Sequence, residues 1–200
     1  DIYLSNIVRI AAGKEFSAAL KSNGMIVVWG NNEYGQLGIN ANGLRNQPVK
    51  VITRNSKNLE NVIDISLGAN HALALTFDNS LYAWGANDRR QLASNTKDIV
   101  SVPERITISG KIKTIAAGGQ HSAIITALEG SENNTVWTWG DNSYGQLGVD
   151  EATTYSTKPV KAGVFDDINY LKNIEIADIF AGEYSSFIVT EGTSNITIAK

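Results

Sequence analysis

Val28-Trp29-Gly30-Asn31-Asn32-Glu33-Tyr34-Gly35-Gln36-Leu37-Gly38 returns as Ala83-Trp84-Gly85-Ala86-Asn87-Asp88-Arg89-Arg90-Gln91-Leu92-Ala93 and as Thr138-Trp139-Gly140-Asp141-Asn142-Ser143-Tyr144-Gly145-Gln146-Leu147-Gly148. The Trp-Gly pairs stand 55 residues apart both times. Recurrence at a fixed period of this length marks a repeat architecture. A second landmark precedes each copy: Ile10-Ala11-Ala12-Gly13, Ile65-Ser66-Leu67-Gly68 and Ile115-Ala116-Ala117-Gly118, followed by Phe16-Ser17, His71-Ala72 and His121-Ser122. A fourth landmark, Ile179-Phe180-Ala181-Gly182 with Tyr184-Ser185, has no Trp-Gly after it. The repeats run over residues 7–52, 62–108, 112–164 and 176–200, the last incomplete.

Each repeat reads as short strands. Ile7 to Ala12, Ala18 to Leu20 and Met25 to Trp29 have strand length and β-branched content, and Lys21-Ser22-Asn23-Gly24 between them is a tight-turn signal. Phe77-Asp78-Asn79-Ser80 and the longer Glu129 to Asn134 occupy the same place, the third repeat being five residues longer here. A fourth strand begins at Pro48, Pro103 and Pro159, where a missing donor at a strand start suits a sheet edge. Helical periodicity is absent, the nearest approach being a single turn around Asp167 to Asn173. Four-stranded units of this size cannot bury both faces alone; radial stacking makes them an all-β propeller of about three and a half four-stranded blades.

Bulk properties narrow the function. Seventeen Lys and Arg against 20 Asp and Glu leave a net charge of −3, which gives no attraction for phosphate backbones, so no nucleic acid is expected. With no Cys there is neither a disulfide nor a thiolate metal site. No apolar run approaches the roughly 18 residues that span a bilayer, so no membrane insertion is expected.

The side chains that invite chemistry have plainer roles. Trp29, Trp84 and Trp139, at one place in every repeat, read as packing between blades, and His71 and His121 as hydrogen-bonding groups inside each blade. The carboxylates Asp64, Asp78, Asp141, Asp150, Glu151, Asp166 and Asp167 read as solvated loop charges. No catalytic residue, metal ligand or cofactor site is assigned. What varies between repeats is the loop set, the usual place for recognition on a rigid scaffold. Phe16, Glu33, Tyr34, Asp88, Arg89, Arg90, Tyr144 and Tyr184 are the loop candidates for contact with a protein partner. Trp137, outside the repeat position, joins them, and Arg89-Arg90 stands where the other two loops have Tyr-Gly.

At these residues the sequence resembles the regulator of chromosome condensation repeat family, whose signature is small-Gly-x-x-His-Ser and then Trp-Gly-x-Asn-x-x-Gly-Gln-Leu-Gly; the match runs from Ile7 to Ala199. The resemblance implies a seven-bladed ring, of which this chain holds half. It implies a fragment of a longer protein, two copies that self-associate to complete the ring, or an open arc. The leading expectation is a non-enzymatic protein-interaction propeller. Its wording resembles the bacterial branch of the family, which favours a larger surface or secreted protein. The resemblance also implies two alternatives. One is guanine-nucleotide exchange on a small GTPase, with the extra residues around Glu129 to Asn134 as a wedge. The other is inhibition of an enzyme by the rim aromatics Tyr34, Tyr144 and Tyr184.

Overall fold

The computed structural model describes residues 4–95, 98–127, 134–150, 152–163, 176–190 and 196–199, the last four by backbone alone. Glu151, Asp166, Asp167, the span 167–173 and residues 129–133 of the long turn lie outside them. Three four-stranded antiparallel sheets and one three-stranded sheet follow one another along the chain. The first is β1 (Ile7–Ala12), β2 (Phe16–Lys21), β3 (Ile26–Gly30) and β4 (Arg45–Lys50). The second is β5 (Val62–Leu67), β6 (His71–Thr76), β7 (Leu81–Ala86) and β8 (Ile99–Ile106). The third is β9 (Lys111–Ala117), β10 (His121–Ala127), β11 (Asn134–Asp141) and β12 (Tyr155–Lys161). The fourth has β13 (Ile176–Ala181), β14 (Ser186–Thr190) and β15 (Ile196–Ala199). Within each sheet the strands pair in chain order, and the first strands β1, β5, β9 and β13 touch one another in sequence. This is an all-β propeller of about three and a half blades.

Burial follows position in the blade. The second strands are covered on both faces by neighbouring sheets, so β6 reads His-Ala-Leu-Ala-Leu-Thr with every residue buried. Such a two-sided strand is a continuous apolar run rather than an alternating one. The outermost strand β4 is largely half-exposed or exposed. Here the structure corrects the proline reading. β4, β8 and β12 begin before Pro48, Pro103 and Pro159, and each proline sits inside an irregular stretch opposite Trp29, Trp84 or Trp139. An edge bulge is the other place where a strand tolerates a residue with no N–H.

The tight turns match their sequence. Gly24 and Asn79 occupy the same turn position with φ of 76° and 65°, a left-handed conformation that Gly accepts freely and Asn more readily than most residues. Around the axis, the first strands carry alternating charge: Arg9 pairs with Asp64 across the first seam, and Lys113 and Asp178 line the same channel of about 480 Å³. Asp64 is therefore not a solvated loop charge. Burial raises its carboxyl above the usual range, against the lowering pull of Arg9. At the two flanks of the set, Ile10 is 77% exposed where its counterpart Ile65 is 3%, and Phe180 is also exposed.

Candidate interaction rim

Sheet geometry puts the turn after each first strand and the loop after each third strand at the same end of the blade. Backbone bonds join them identically three times: Asn31 N–H to Glu15 O at 2.8 Å, Ala86 N–H to Asn70 O at 2.8 Å, Asp141 N–H to Gln120 O at 2.9 Å. The first-strand turns also step from blade to blade around the axis. Lys14 N–H donates to Ala69 O at 3.1 Å, Ala69 N–H to Gly118 O at 3.2 Å and Gly119 N–H to Gly182 O at 3.1 Å. They frame a mouth of about 410 Å³ made mostly of glycine and alanine.

Each long loop is locked from below by two buried amides. Asn32, Asn87 and Asn142 accept the N–H of Leu37, Leu92 and Leu147, all at 2.9 Å. Gln36, Gln91 and Gln146 accept the N–H of Tyr34, Arg89 and Tyr144, again all at 2.9 Å. A buried amide oxygen that accepts such a bond fixes the backbone around it; Gln91 and Gln146 also donate Nε2–H to Asp88 and Asp141, whereas Gln36 Nε2 is buried without a partner. In consequence one position per blade, Tyr34, Arg89 or Tyr144, is held pointing outward, and all three side chains are exposed.

The same glutamines knit the blades together. The Gln36 carbonyl accepts Trp84 Nε1–H at 2.9 Å, and the Gln91 carbonyl accepts Trp139 Nε1–H at 2.8 Å and Ser122 Oγ–H at 2.9 Å. Trp84 and Trp139 are buried, as expected for seam packing. Trp29, in the first blade, is only half-buried. The histidines also work across seams rather than inside blades, which corrects the sequence reading: His71 Nε2 meets Ser122 Oγ and His121 Nε2 meets Ser186 Oγ, both at 3.0 Å. Ser186 spends its proton on the Gln146 carbonyl at 2.8 Å, as Ser122 does on Gln91. A hydroxyl has one proton to give, so each imidazole must be the donor and carry its hydrogen on Nε2. Nδ1 of both is buried without a partner. Burial lowers the two pKa values, His71 to about 3 and His121 to about 4.

The structure redistributes the other candidates. Phe16 is no loop contact: it is the first residue of β2 and 3% exposed, filling the place that His71 and His121 take in later blades. Trp137 lies in mid-β11, half-buried against the core, with Nε1–H donated to Thr126 Oγ1 at 2.9 Å, so it is not on the rim either. Gly182 N–H bonds Ser185 O at 2.9 Å as Gly118 N–H bonds His121 O, so Ser185 and not Tyr184 holds the histidine position. Tyr184 is thereby freed for the rim. Its ring lies 4.8 Å from that of Tyr144, tilted by 51°.

Asp88, Arg89 and Arg90 line a cleft of about 210 Å³ together with Asp141 and Tyr155 from the third blade. Arg90 has φ 66° where its counterparts Gly35 and Gly145 have 69° and 76°. Its guanidinium reaches Asp98 Oδ1 at 3.1 Å. Asp141 is buried, accepting from Ser143 Oγ–H at 2.7 Å and Gln146 Nε2–H at 2.8 Å, and so is another carboxylate misread as solvated. Glu33 and Tyr34 are exposed one blade further back. Reasoning from sequence missed Asp98, Tyr155 and the locking Asn and Gln pairs. Only the last left a signal, in the constant Asn-x-x-x-Gln of each loop.

Comparison with known proteins agrees with this geometry. The model of the regulator of chromosome condensation (RCC1) repeat matches residues 23–75, 78–125 and 133–189. The chain is 31% identical over 189 residues to the human probable E3 ubiquitin-protein ligase HERC6, covering 91% of itself and 17% of that protein. It is 30% identical over 197 residues to the guanine nucleotide exchange factor SRM1 of Saccharomyces cerevisiae, covering 93% of itself and 39% of that protein. Human WBSCR16 superimposes with a TM-score of 0.80 at 25% identity, over 96% of this chain and 47% of that one. The chain thus spans well under half the length of these curated relatives. With three tryptophan-glycine blades, the glutamine-locked loops and matches over most of its residues, the chain belongs to the regulator of chromosome condensation repeat family.

Proposed function

We propose that this chain is a non-enzymatic protein-interaction propeller that grips a protein partner by the rim bearing Tyr34, Arg89, Tyr144 and Tyr184. The carrying observation is that three buried glutamines hold the variable position of each loop outward. Conserving the backbone while changing the displayed side chain is how a rigid scaffold acquires specificity. Glu33, Asp88 and Arg90 flank these anchors. Affinity capture tests the reading: Tyr34→Ala, Arg89→Ala and Tyr144→Ala combined should abolish recovery of the partner while the melting temperature stays within a few degrees of the parent. Undiminished capture would sink the proposal.

The likeness to SRM1 favours a second reading, guanine-nucleotide exchange on a small GTPase through the same rim. Exchange requires only that protein contacts displace a nucleotide, so the lack of an assigned acid or base does not oppose it. Release of a labelled guanine nucleotide from a captured GTPase decides it, an unchanged rate removing the reading. The exposed flanks at Ile10 and Phe180 support association with further blades, supplied by a longer parent chain or by a second copy. Sedimentation as a strict monomer removes the second copy. The setting in a larger bacterial surface or secreted protein rests on the wording of the repeats alone, and surface labelling of the parent protein tests it.

A further inference from the structure

Tyr144 and Tyr184 come from different blades, each held by its own backbone. Tyr144 is fixed through its N–H to Gln146 Oε1 at 2.9 Å, and Tyr184 sits in the turn closed by Gly182 N–H to Ser185 O at 2.9 Å. At 4.8 Å and 51° the rings touch without covering one another, and the residues stay 63% and 49% exposed. Two preorganised aromatic faces therefore stand open on the rim.

Carboxylates flank the pair. Glu183 hydrogen-bonds and repels negative charge on Tyr184, raising its phenol above the ordinary range, and Asp141 acts in the same direction. The Tyr184 phenol is thereby kept in its neutral form beside Glu183. Gly119 contributes by lacking a side chain: a Cβ there would stand 2.4 Å from the Glu183 carbonyl oxygen and 3.1 Å from its Cγ. Glu183 can lie across the third blade only because of that glycine. Arg89 and Arg90 share a cleft with Asp141 on the second-blade side, Arg90 being paired with Asp98, while Glu183 belongs to the fourth blade.

We propose that Tyr144, Tyr184 and Glu183 form a receptor for an arginine side chain of a protein segment, a proposal that rests on the rim being a protein-binding surface. A cation within about 6 Å of a tyrosine centroid is drawn to the ring quadrupole. A planar guanidinium stacks on such a ring and has N–H groups left for a carboxylate, which a lysine ammonium cannot combine as well. The acidic flank supplies that carboxylate and repels acidic segments.

Binding of labelled peptides to the full chain, read by fluorescence anisotropy, tests this. The probes are equal-length peptides of glycine alternating with arginine, lysine, serine or glutamate. The arginine peptide binds tightest and the glutamate peptide not at all. Tyr144→Ala or Tyr184→Ala weakens the arginine peptide about tenfold, Glu183→Gln about threefold, and Tyr144→Phe leaves it nearly unchanged because the ring face survives. Unaltered melting temperatures show that the variants fold. No binding of the arginine peptide, or binding indifferent to both alanine variants, overturns the proposal. Tyrosine-dependent binding of the serine or glutamate peptide overturns it too, yet leaves the protein-binding rim standing, whereas capture of the partner undiminished in the triple rim variant sinks that wider reading.

Discussion

His71 Nε2 lies 3.0 Å from Ser122 Oγ, across the seam between the second and third blades. At the first seam the equivalent pair is Phe16 and Ala72, and at the third it is His121 and Ser186. A donor imidazole is thus matched by a hydroxyl and an apolar ring by a methyl group. The seam tolerates either chemistry, provided both sides change together.

Ser122→Ala alone strands the imidazole N–H in a dry seam, a loss of about 1–3 kcal/mol. His71→Phe with Ser122→Ala recreates the first seam and should lose less than the sum of the two single changes. A double-mutant cycle by urea unfolding measures the coupling. Strict additivity would show that the bond contributes nothing.

Acid should weaken the fold through the same histidines. His71 and His121 titrate at about 3 and about 4 when folded, below the ordinary 6.5, because burial disfavours the imidazolium. As pH falls below 6.5 the unfolded chain binds protons that the native seams refuse. Stability is therefore full above pH 6.5 and declines below it, by up to about 1.4 kcal/mol per pH unit for each histidine, until the folded values are reached. Asp64, shifted upward by burial, acts oppositely, so urea unfolding between pH 6.5 and 5 is read in an Asp64→Asn background, which leaves the histidines. A flat profile there contradicts the buried neutral state.

The tryptophans should differ by blade. Trp84→Ala removes a buried indole and its bond to the Gln36 carbonyl, at about 3–5 kcal/mol. Trp29→Ala, at a half-buried site, should lose clearly less. Equal losses in denaturant titrations would contradict the seam assignment.

Turn position and seam also set opposite signs for two small changes. Ala93 has φ 54° where Gly38 and Gly148 have 63°, so Ala93→Gly relieves backbone strain and should stabilise by up to about 1 kcal/mol. Gly38→Ala does the reverse: its Cβ would stand 2.7 Å from Trp84 Nε1 and add the same strain. Thermal melts of the two variants should move in opposite directions.

The sequence by itself determined the blades, because strand-length β-branched segments, turn-forming residues between them and the Trp-Gly spacing are local properties that one repeat displays and the next confirms. It also marked Tyr34, Arg89 and Tyr144 as variable positions in constant loops, and Arg90 as a residue in a glycine's place. Tertiary structure alone decided which residues face each other across seams. Phe16, His71 and Asp141 look like surface or in-blade groups along the chain, yet each is buried by a neighbouring sheet or loop lock. Ser185 in the histidine position is legible along the chain, since it follows Gly182 at the spacing of Phe16 from Gly13, His71 from Gly68 and His121 from Gly118, but the meeting of Tyr184 with Tyr144 across the third seam is not. Such meetings depend on how consecutive sheets pack, and side-chain facing reverses with every residue of register, so no reading along one strand can supply them.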